Sequence, residues 1–301
     1  MSNHLSRRGA LQSAAAVTAG TFFAAVESNI AEAKESAGLK NNIRHSACKW
    51  CYKKVTLEDF CVSAKKIGLE SVELLNPEDF PTLKKHGLHC AMVSFPGGKT
   101  PAGVKVGGIG KAFNRVEHHD TLVGIYEPLI KASAAAGFTN VICFSGNREG
   151  LDDADGIKNC AKGLKRLMPI AEKHKVTLTM ELLNSKVNHK DYQCDHTEWG
   201  VELCKAIGSE HFKLLYDIYH MQIMEGDVID TIKRHHKYFS HYHTGGVPGR
   251  NEIDESQELY YPAICKAIVA TGYKGFIGQE FIPARKDWQA SLDQGVKICD
   301  V

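Results

Sequence analysis

The chain has 301 residues, of which 43% are hydrophobic and 24% charged, with a formal net charge of +2 at pH 7. This is ordinary globular composition with enough chain to bury a large core, which excludes a disordered or fibrous protein. The near-neutral balance, with no dense run of lysine and arginine, gives no electrostatic footprint for a nucleic-acid partner.

At the N-terminus, Ser6-Arg7-Arg8-Gly9-Ala10-Leu11-Gln12 precedes an alanine-rich apolar run from about Ala14 to Ala25, and Ala31-Glu32-Ala33 follows. A basic pair, a short apolar stretch and an A-x-A pattern predict a twin-arginine export signal over residues 1–33. The mature protein would then be periplasmic. The apolar run is too short and too weakly hydrophobic for a stable membrane anchor. Ten cysteines in an exported chain would suggest disulfides, but apart from Cys48-Lys49-Trp50-Cys51 they are scattered singly. Most are expected as small core residues, and the C-x-x-C pair lacks the second pair that a structural zinc site needs.

From there, β-like runs alternate with amphipathic helical stretches. The predicted strands are Ile43–Cys48, Ser71–Leu75, Cys90–Phe95, Asn140–Phe144, Val176–Leu182, Phe212–Asp217, Phe239–His243 and Phe276–Glu280. Between the first two, Thr56-Leu57-Glu58-Asp59 reads as a capping box, with Gly68 as the helix stop. The glycine-rich piece Gly97–Gly110 is too long for a simple connection and predicts an insertion over one mouth of the fold. Pro128 predicts a kink or break in the helix that follows Asp120. Asp227 is expected to cap the helix holding Val228, Ile229 and Ile232, and Pro262 and Gly272 bracket a later one. Eight such alternations in one domain, residues 34–301, predict a (β/α)8 TIM barrel, an α/β fold of about 250 residues. An open doubly wound sheet shows the same alternation.

Barrel active sites form at the C-terminal ends of strands. Four consecutive predicted strands end in Glu181, Asp217, His241-Tyr242-His243 and Glu280. In a closed barrel these side chains converge, and three carboxylates with an imidazole call for a cation to offset their repulsion. Residues i and i+2 of a strand share a face, so His243 lies at the mouth and His241 roughly 6.6 Å deeper, packed or hydrogen-bonded behind it. The loop Thr244-Gly245-Gly246-Val247-Pro248-Gly249-Arg250 permits a close backbone path that returns Arg250 toward the site. In Asp217-Ile218-Tyr219-His220, the histidine falls in the loop above the strand, either reaching a bound substrate or facing solvent. Asn184 is placed similarly after Glu181. The oxygen-rich donor set suits one divalent metal ion, Mn²⁺ or Mg²⁺, while His243 also permits Co²⁺ or Zn²⁺.

The linked motifs from Glu181 to Glu280, with Tyr261-Pro262 and Gly272-Tyr273-Lys274-Gly275-Phe276-Ile277-Gly278-Gln279-Glu280-Phe281, resemble the xylose-isomerase-like barrel superfamily of sugar isomerases and epimerases, most closely its hydroxypyruvate-isomerase-like branch. The resemblance implies a metal-dependent enzyme in which Glu181, Asp217, His243 and Glu280 bind the metal. It also implies that Glu181 and Glu280 act as the catalytic acid/base pair, and that His220 and Arg250 hold substrate oxygens. Asn184 joins the expected substrate-binding residues. The expected reaction is isomerisation or epimerisation of a keto-sugar or hydroxypyruvate-like compound by proton abstraction beside a carbonyl, through an enediolate. His243 stands where typical hydroxypyruvate isomerases have glutamine, and Val187 where ketose 3-epimerases tend to have glutamate, so the substrate stays open. Rival readings are a lyase or dehydratase using the same site, and a non-catalytic periplasmic carbohydrate-binding protein with Trp50, Phe95 or Trp288 as stacking platforms. The partner is a small-molecule carbohydrate or hydroxy-keto acid, no nucleic acid is expected, and a homo-oligomer is open.

Overall fold

The structure, a computed structural model, describes residues 38–301, so the predicted export signal at residues 1–33 lies outside the described residues. Strands β1 (Arg44–Cys48) and β2 (Ser71–Glu73) come first, followed by a small antiparallel ribbon of β3 (Gly98–Lys99) and β4 (Lys105–Val106). Then come β5 (Asn140–Cys143), β6 (Thr177–Glu181), β7 (Phe212–Asp217), β8 (Phe239–Thr244) and β9 (Phe276–Gln279). Apart from the ribbon, the strands form one parallel sheet in the order β2-β1-β9-β8-β7-β6-β5. Their residues are buried almost without interruption, as expected for a parallel sheet covered by helices on its outer face.

The third predicted strand, Cys90–Phe95, is not a regular strand, and yet it closes the ring. Val72 and Leu74 donate N–H groups to the carbonyls of His89 (3.1 Å) and Met92 (2.8 Å), joining this segment to β2. On its other side, Val93 donates to Asn140 O (2.9 Å) and Ile142 donates to Val93 O (3.0 Å), joining it to β5. The ladder is interrupted because side chains take over part of it: Ala91 N–H donates to Ser71 Oγ (2.8 Å), and the Cys90 thiol turns back to Met92 O (3.3 Å). Eight chain segments thus make the barrel.

The helices outside it are α1 (Leu57–Ile67), α2 (Phe80–Lys85), α3 (His119–Ala136), α4 (Asp153–Lys165), α5 (Met168–His174), α6 (Thr197–Ile207), α7 (Ile218–Met224), α8 (Val228–His235), α9 (Tyr261–Ala270) and α10 (Trp288–Cys299). Helix α1 begins as its sequence predicts: Thr56 Oγ1 accepts from Asp59 N–H at 3.1 Å, and Gly68 ends the helix at φ +88°. Two expectations are corrected, the first in part. Helix α3 continues through Pro128, so the proline does not break it. Asp227 precedes α8 but adopts a left-handed conformation (φ 44°) and makes no side-chain cap, because its carboxylate cannot turn back onto the first amides from there. All ten cysteines are buried free thiols. Among the described residues, no helix is long and apolar enough to cross a membrane.

The loops after β5 and β6 are tied together over the barrel mouth. Arg148 grips the Asp195 carboxylate with both terminal nitrogens, at 2.9 and 3.1 Å, and Asn114 bridges Asn147 O and Gln193 Oε1 at 2.7 and 2.8 Å. Burial alone would raise the Asp195 pKa, but hydrogen bonds from His196, Arg148 and Ser185 bring it down to about 2 from an ordinary 3.8. A carboxyl more acidic in the folded than in the unfolded chain stabilises the fold above the unfolded pKa, and that contribution is lost as pH falls through the folded one. Asp195→Asn should therefore cost on the order of 2 kcal/mol at pH 7, between the values for exposed and for fully buried pairs. The gap from wild type should narrow between about pH 4 and pH 2. Urea unfolding across that range checks this, and a gap independent of pH contradicts it.

Candidate active site

The four strand-end residues converge as their spacing predicts. Glu181 is the last residue of β6, Asp217 the last of β7, His243 the next to last of β8, and Glu280 directly follows β9. Register sets them level: His243 stands opposite Asp217 on one side and Gly278 on the other, and Glu280 N–H continues the ladder to Thr244 O at 3.1 Å. One ligand-type atom from each of the four lies within 4.8 Å of the others, and all four residues are buried. His243 Nδ1 is 3.0 Å from Glu280 Oε2 and 3.6 Å from Glu181 Oε1.

Arg250 enters the same cluster, closer than the sequence suggests. Its Nη2 lies 2.5 Å from Glu280 Oε2 and 3.4 Å from Asp217 Oδ2, so the guanidinium rests on the carboxylates themselves. The rings of Trp50 and Tyr219 each approach it to 5.2 Å, and Trp50 Nε1–H donates to Glu280 Oε1 at 2.8 Å. The loop is built for this placement. Arg250 takes a left-handed φ of 59°, its N–H donates to Gly246 O (2.8 Å), and its carbonyl accepts from Ile282 N–H (2.7 Å). A side chain at residue 246 would drive a Cβ to 2.3 Å from Glu252 O, so only glycine fits the return path.

The electrostatics follow from burying so many acids in one place. Burial raises the pKa of Glu181, with Glu280 adding to the effect, and raises that of Asp217 to about 8. Glu280 is the exception: burial opposes its charge, but His243 and Arg250 overcome that and hold it well below the ordinary range. For His243, burial disfavours the cation, and the surrounding acidic groups, Cys48, Glu280 and Glu181 among them, outweigh it to raise the pKa. Glu181 Oε1 and His243 Nδ1 are buried without a hydrogen-bond partner. Two orphaned donors of ligand type in an oxygen-rich, acid-heavy cluster fit one divalent cation, held by Glu181, Asp217, His243 and Glu280.

His220 sits in the first turn of α7 rather than in a loop, and is fully buried. Its Nδ1 accepts the Asn184 backbone N–H at 3.1 Å, so the proton of the neutral ring is on Nε2. Burial, reinforced by Arg250, keeps its pKa well below 6.5. Nε2 has no hydrogen-bond partner and lies 3.6 Å from Asp217 Oδ2, which leaves a neutral N–H donor facing the cluster. Asn184 does not face a free space. Its amide nitrogen meets His220 Nδ1 and Asn188, and its Oδ1 accepts from the N–H groups of Val187 and Asn188, so it orients His220 and folds its own loop. Of the proposed stacking platforms, Trp50 reaches the site, Trp288 packs on Tyr52 and Phe60, and Phe95 meets Phe144 at the rim. There, Phe95 and the insertion, including Lys99, Lys105 and Lys111, line a cleft of about 610 Å³.

One site residue escaped the sequence reading. Glu73, at the end of β2, is fully buried and lies 2.9 Å from His241 Nε2 and 3.3 Å from His243 Nε2. Its signal was an acid inside the otherwise apolar run Val72–Leu75, which needs a buried partner wherever that run is a strand.

The fold and site together define a TIM-barrel protein with an acid-rich centre at its C-terminal mouth. The chain belongs to the xylose isomerase-like TIM barrel family, whose model matches residues 63–297. It is similar to the 2-oxo-tetronate isomerase of Cupriavidus necator, with 36% identity over 108 residues, 36% of this chain and 41% of that protein. The match thus spans less than half the length of that relative. Similarity to the hydroxypyruvate isomerase of Escherichia coli is weaker but longer, with 25% identity over 247 residues, 79% of this chain and 90% of that one. Among solved structures, an AP endonuclease, family 2, from Brucella melitensis superposes with a TM-score of 0.72 at 26% identity, covering 85% of this chain and 99% of that one.

A cation that binds the folded chain alone must stabilise it. Mn²⁺ at a hundred times its dissociation constant should add about 2.7 kcal/mol to the unfolding free energy, and Asp217→Asn should remove that gain. Thermal unfolding with and without metal checks this, and an undiminished gain in the variant would place the ion elsewhere.

Proposed function

We propose that the protein is a divalent-metal-dependent isomerase or epimerase that abstracts a proton beside a carbonyl of a hydroxypyruvate-like or keto-sugar substrate. The observation that carries this reading is the pair Glu181 and Glu280, buried in one cluster and biased in opposite directions, one toward the acid and the other held ionised. Two carboxyls separated in this way are suited to take and return a proton. The similarity to a 2-oxo-tetronate isomerase and a hydroxypyruvate isomerase supports the substrate class.

Glu181, Asp217, His243 and Glu280 would hold a divalent ion, which would supply Lewis acidity to a carbonyl and its neighbouring hydroxyl. The chain does the remaining work. One glutamate takes the proton from the hydroxyl-bearing carbon next to the carbonyl, and the electron pair left behind delocalises into the carbonyl to give an enediolate. The other glutamate delivers a proton to the former carbonyl carbon while the hydroxyl proton passes to the former carbonyl oxygen, which isomerises the substrate, or to the opposite face of the original carbon, which epimerises it. His220 Nε2–H donates to a developing oxyanion while staying neutral, so it stabilises charge without competing for the abstracted proton. Arg250 adds fixed positive charge at the same mouth, and the faces of Trp50 and Tyr219 keep water from it.

Deuterium wash-in from D₂O, followed by NMR over hydroxypyruvate and a panel of keto-sugars, tests the reading. Exchange should depend on added divalent ion and fall by at least about 10²-fold in Glu181→Gln and in Glu280→Gln. Exchange at full rate in both variants would refute the assignment, and a product lacking a β-substituent would identify elimination instead. The Arg7-Arg8 segment supports export to the periplasm. N-terminal sequencing of the protein from a periplasmic fraction should then begin near Lys34, and a full-length chain confined to the cytoplasm would refute export.

A further inference from the structure

Glu73 stands behind the metal-facing cluster. Strand β2 carries it level with Cys48 of β1, whose thiol donates to Glu73 Oε1 at 3.6 Å. The two carboxylate oxygens are divided between two imidazoles, Oε2 at 2.9 Å from His241 Nε2 and Oε1 at 3.3 Å from His243 Nε2. The barrel makes room for this carboxylate by having glycine at residue 278, where a Cβ would stand 1.8 Å from Glu73 Oε1 and 2.9 Å from His243 Cδ2. His243 therefore has two distinct sides. Its Nε2 faces Glu73, and its Nδ1 faces Glu280 and Glu181.

We propose that Glu73 is a positioning residue for the metal centre: it keeps a proton on His243 Nε2, so that the Nδ1 lone pair is presented to the ion, and it braces the ring through His241. The inference rests on the metal-centre reading of the site. An imidazole ligates through an unprotonated nitrogen, and a carboxylate on its other nitrogen fixes both tautomer and ring orientation. His241 completes the brace, since its ring meets that of His243 edge-on with centroids 5.0 Å apart and shares the same carboxylate. Cys48, Glu73 and His243 also offer ligand-type atoms within 4.8 Å of one another, so a second ion is the rival reading. The division of the carboxylate between two ring nitrogens, 2.9 and 3.3 Å away, favours the brace, because each oxygen already faces an imidazole nitrogen.

The test compares wild type with Glu73→Gln, which keeps the size but replaces one oxygen by a donor. Competition titration with Zn²⁺ and Mn²⁺ should show affinity weakened by about 10–100-fold. Unchanged affinity in a folded variant would overturn the proposal, as would two ions per wild-type chain falling to one. Folding of the variant is not required for the second measurement. In Zn²⁺-loaded wild type, ¹⁵N–¹H correlation of the histidine rings should show His243 protonated at Nε2 with a strongly downfield proton, whereas ligation through Nε2 would overturn the proposal. A wild-type chain that binds neither ion removes the metal-centre reading, and the brace with it, which is a result distinct from a bound ion indifferent to Glu73.

Discussion

Four carboxylates, Glu73, Glu181, Asp217 and Glu280, are buried around the single imidazole of His243, and the barrel mouth is organised to tolerate that. Burying a charge without a partner is among the most costly things a fold can do. Here the compensation is shared unevenly. Glu280 receives Arg250, His243 and the Trp50 N–H, and Glu73 receives two imidazoles and a thiol. Glu181 and Asp217 receive too little, and their raised pKa values register the shortfall. A divalent ion held by the cluster would meet that deficit. The left-handed backbone at Arg250 and the glycines at 246 and 278 are the steric consequences of fitting these groups together.

The two histidines that face the cluster show how the surroundings divide labour between identical side chains. His243 lies among acids and is driven toward the cation; His220 lies beside Arg250, accepts a backbone N–H at Nδ1, and is driven toward the neutral ring. A neutral N–H donor and an imidazole that would have to give up a proton to an incoming ion are different tools, and a substrate oxygen polarised from two sides would use both. Asn184 belongs to this arrangement through His220, and its loop is pinned by its own side chain.

Much of this was legible in the sequence. Glu181, Asp217, His243 and Glu280 are found because strand ends of a barrel share one mouth, so four local patterns become one three-dimensional statement. The cap at Thr56 and the stop at Gly68 are equally local. What escaped depends on contacts across the barrel. Glu73 is separated from its two imidazole partners by more than 160 residues, and the rule that picked out strands five to eight placed the end of its strand at Leu75, which hid the acid in the middle. The third segment was expected as a strand from its composition, yet Ser71 Oγ and the Cys90 thiol replace part of the ladder. Arg250 was expected near the substrate, and only the folded loop shows its guanidinium on the carboxylates.

The separation of chemistry from recognition follows from the same geometry. The cluster is set by strand register and by packing across the barrel interior, where a shift of one residue would turn each ligand away from the mouth. The cleft is lined instead by Phe95 and residues of the 97–111 insertion, which is tied to the loop after β5 by the Asn147 N–H bond to Gly110 O at 2.9 Å. None of Glu181, Asp217, His243 and Glu280 lines that cleft. On the proposed function, the centre would set the reaction class and the rim the substrate, since loops over a rigid scaffold are where recognition varies.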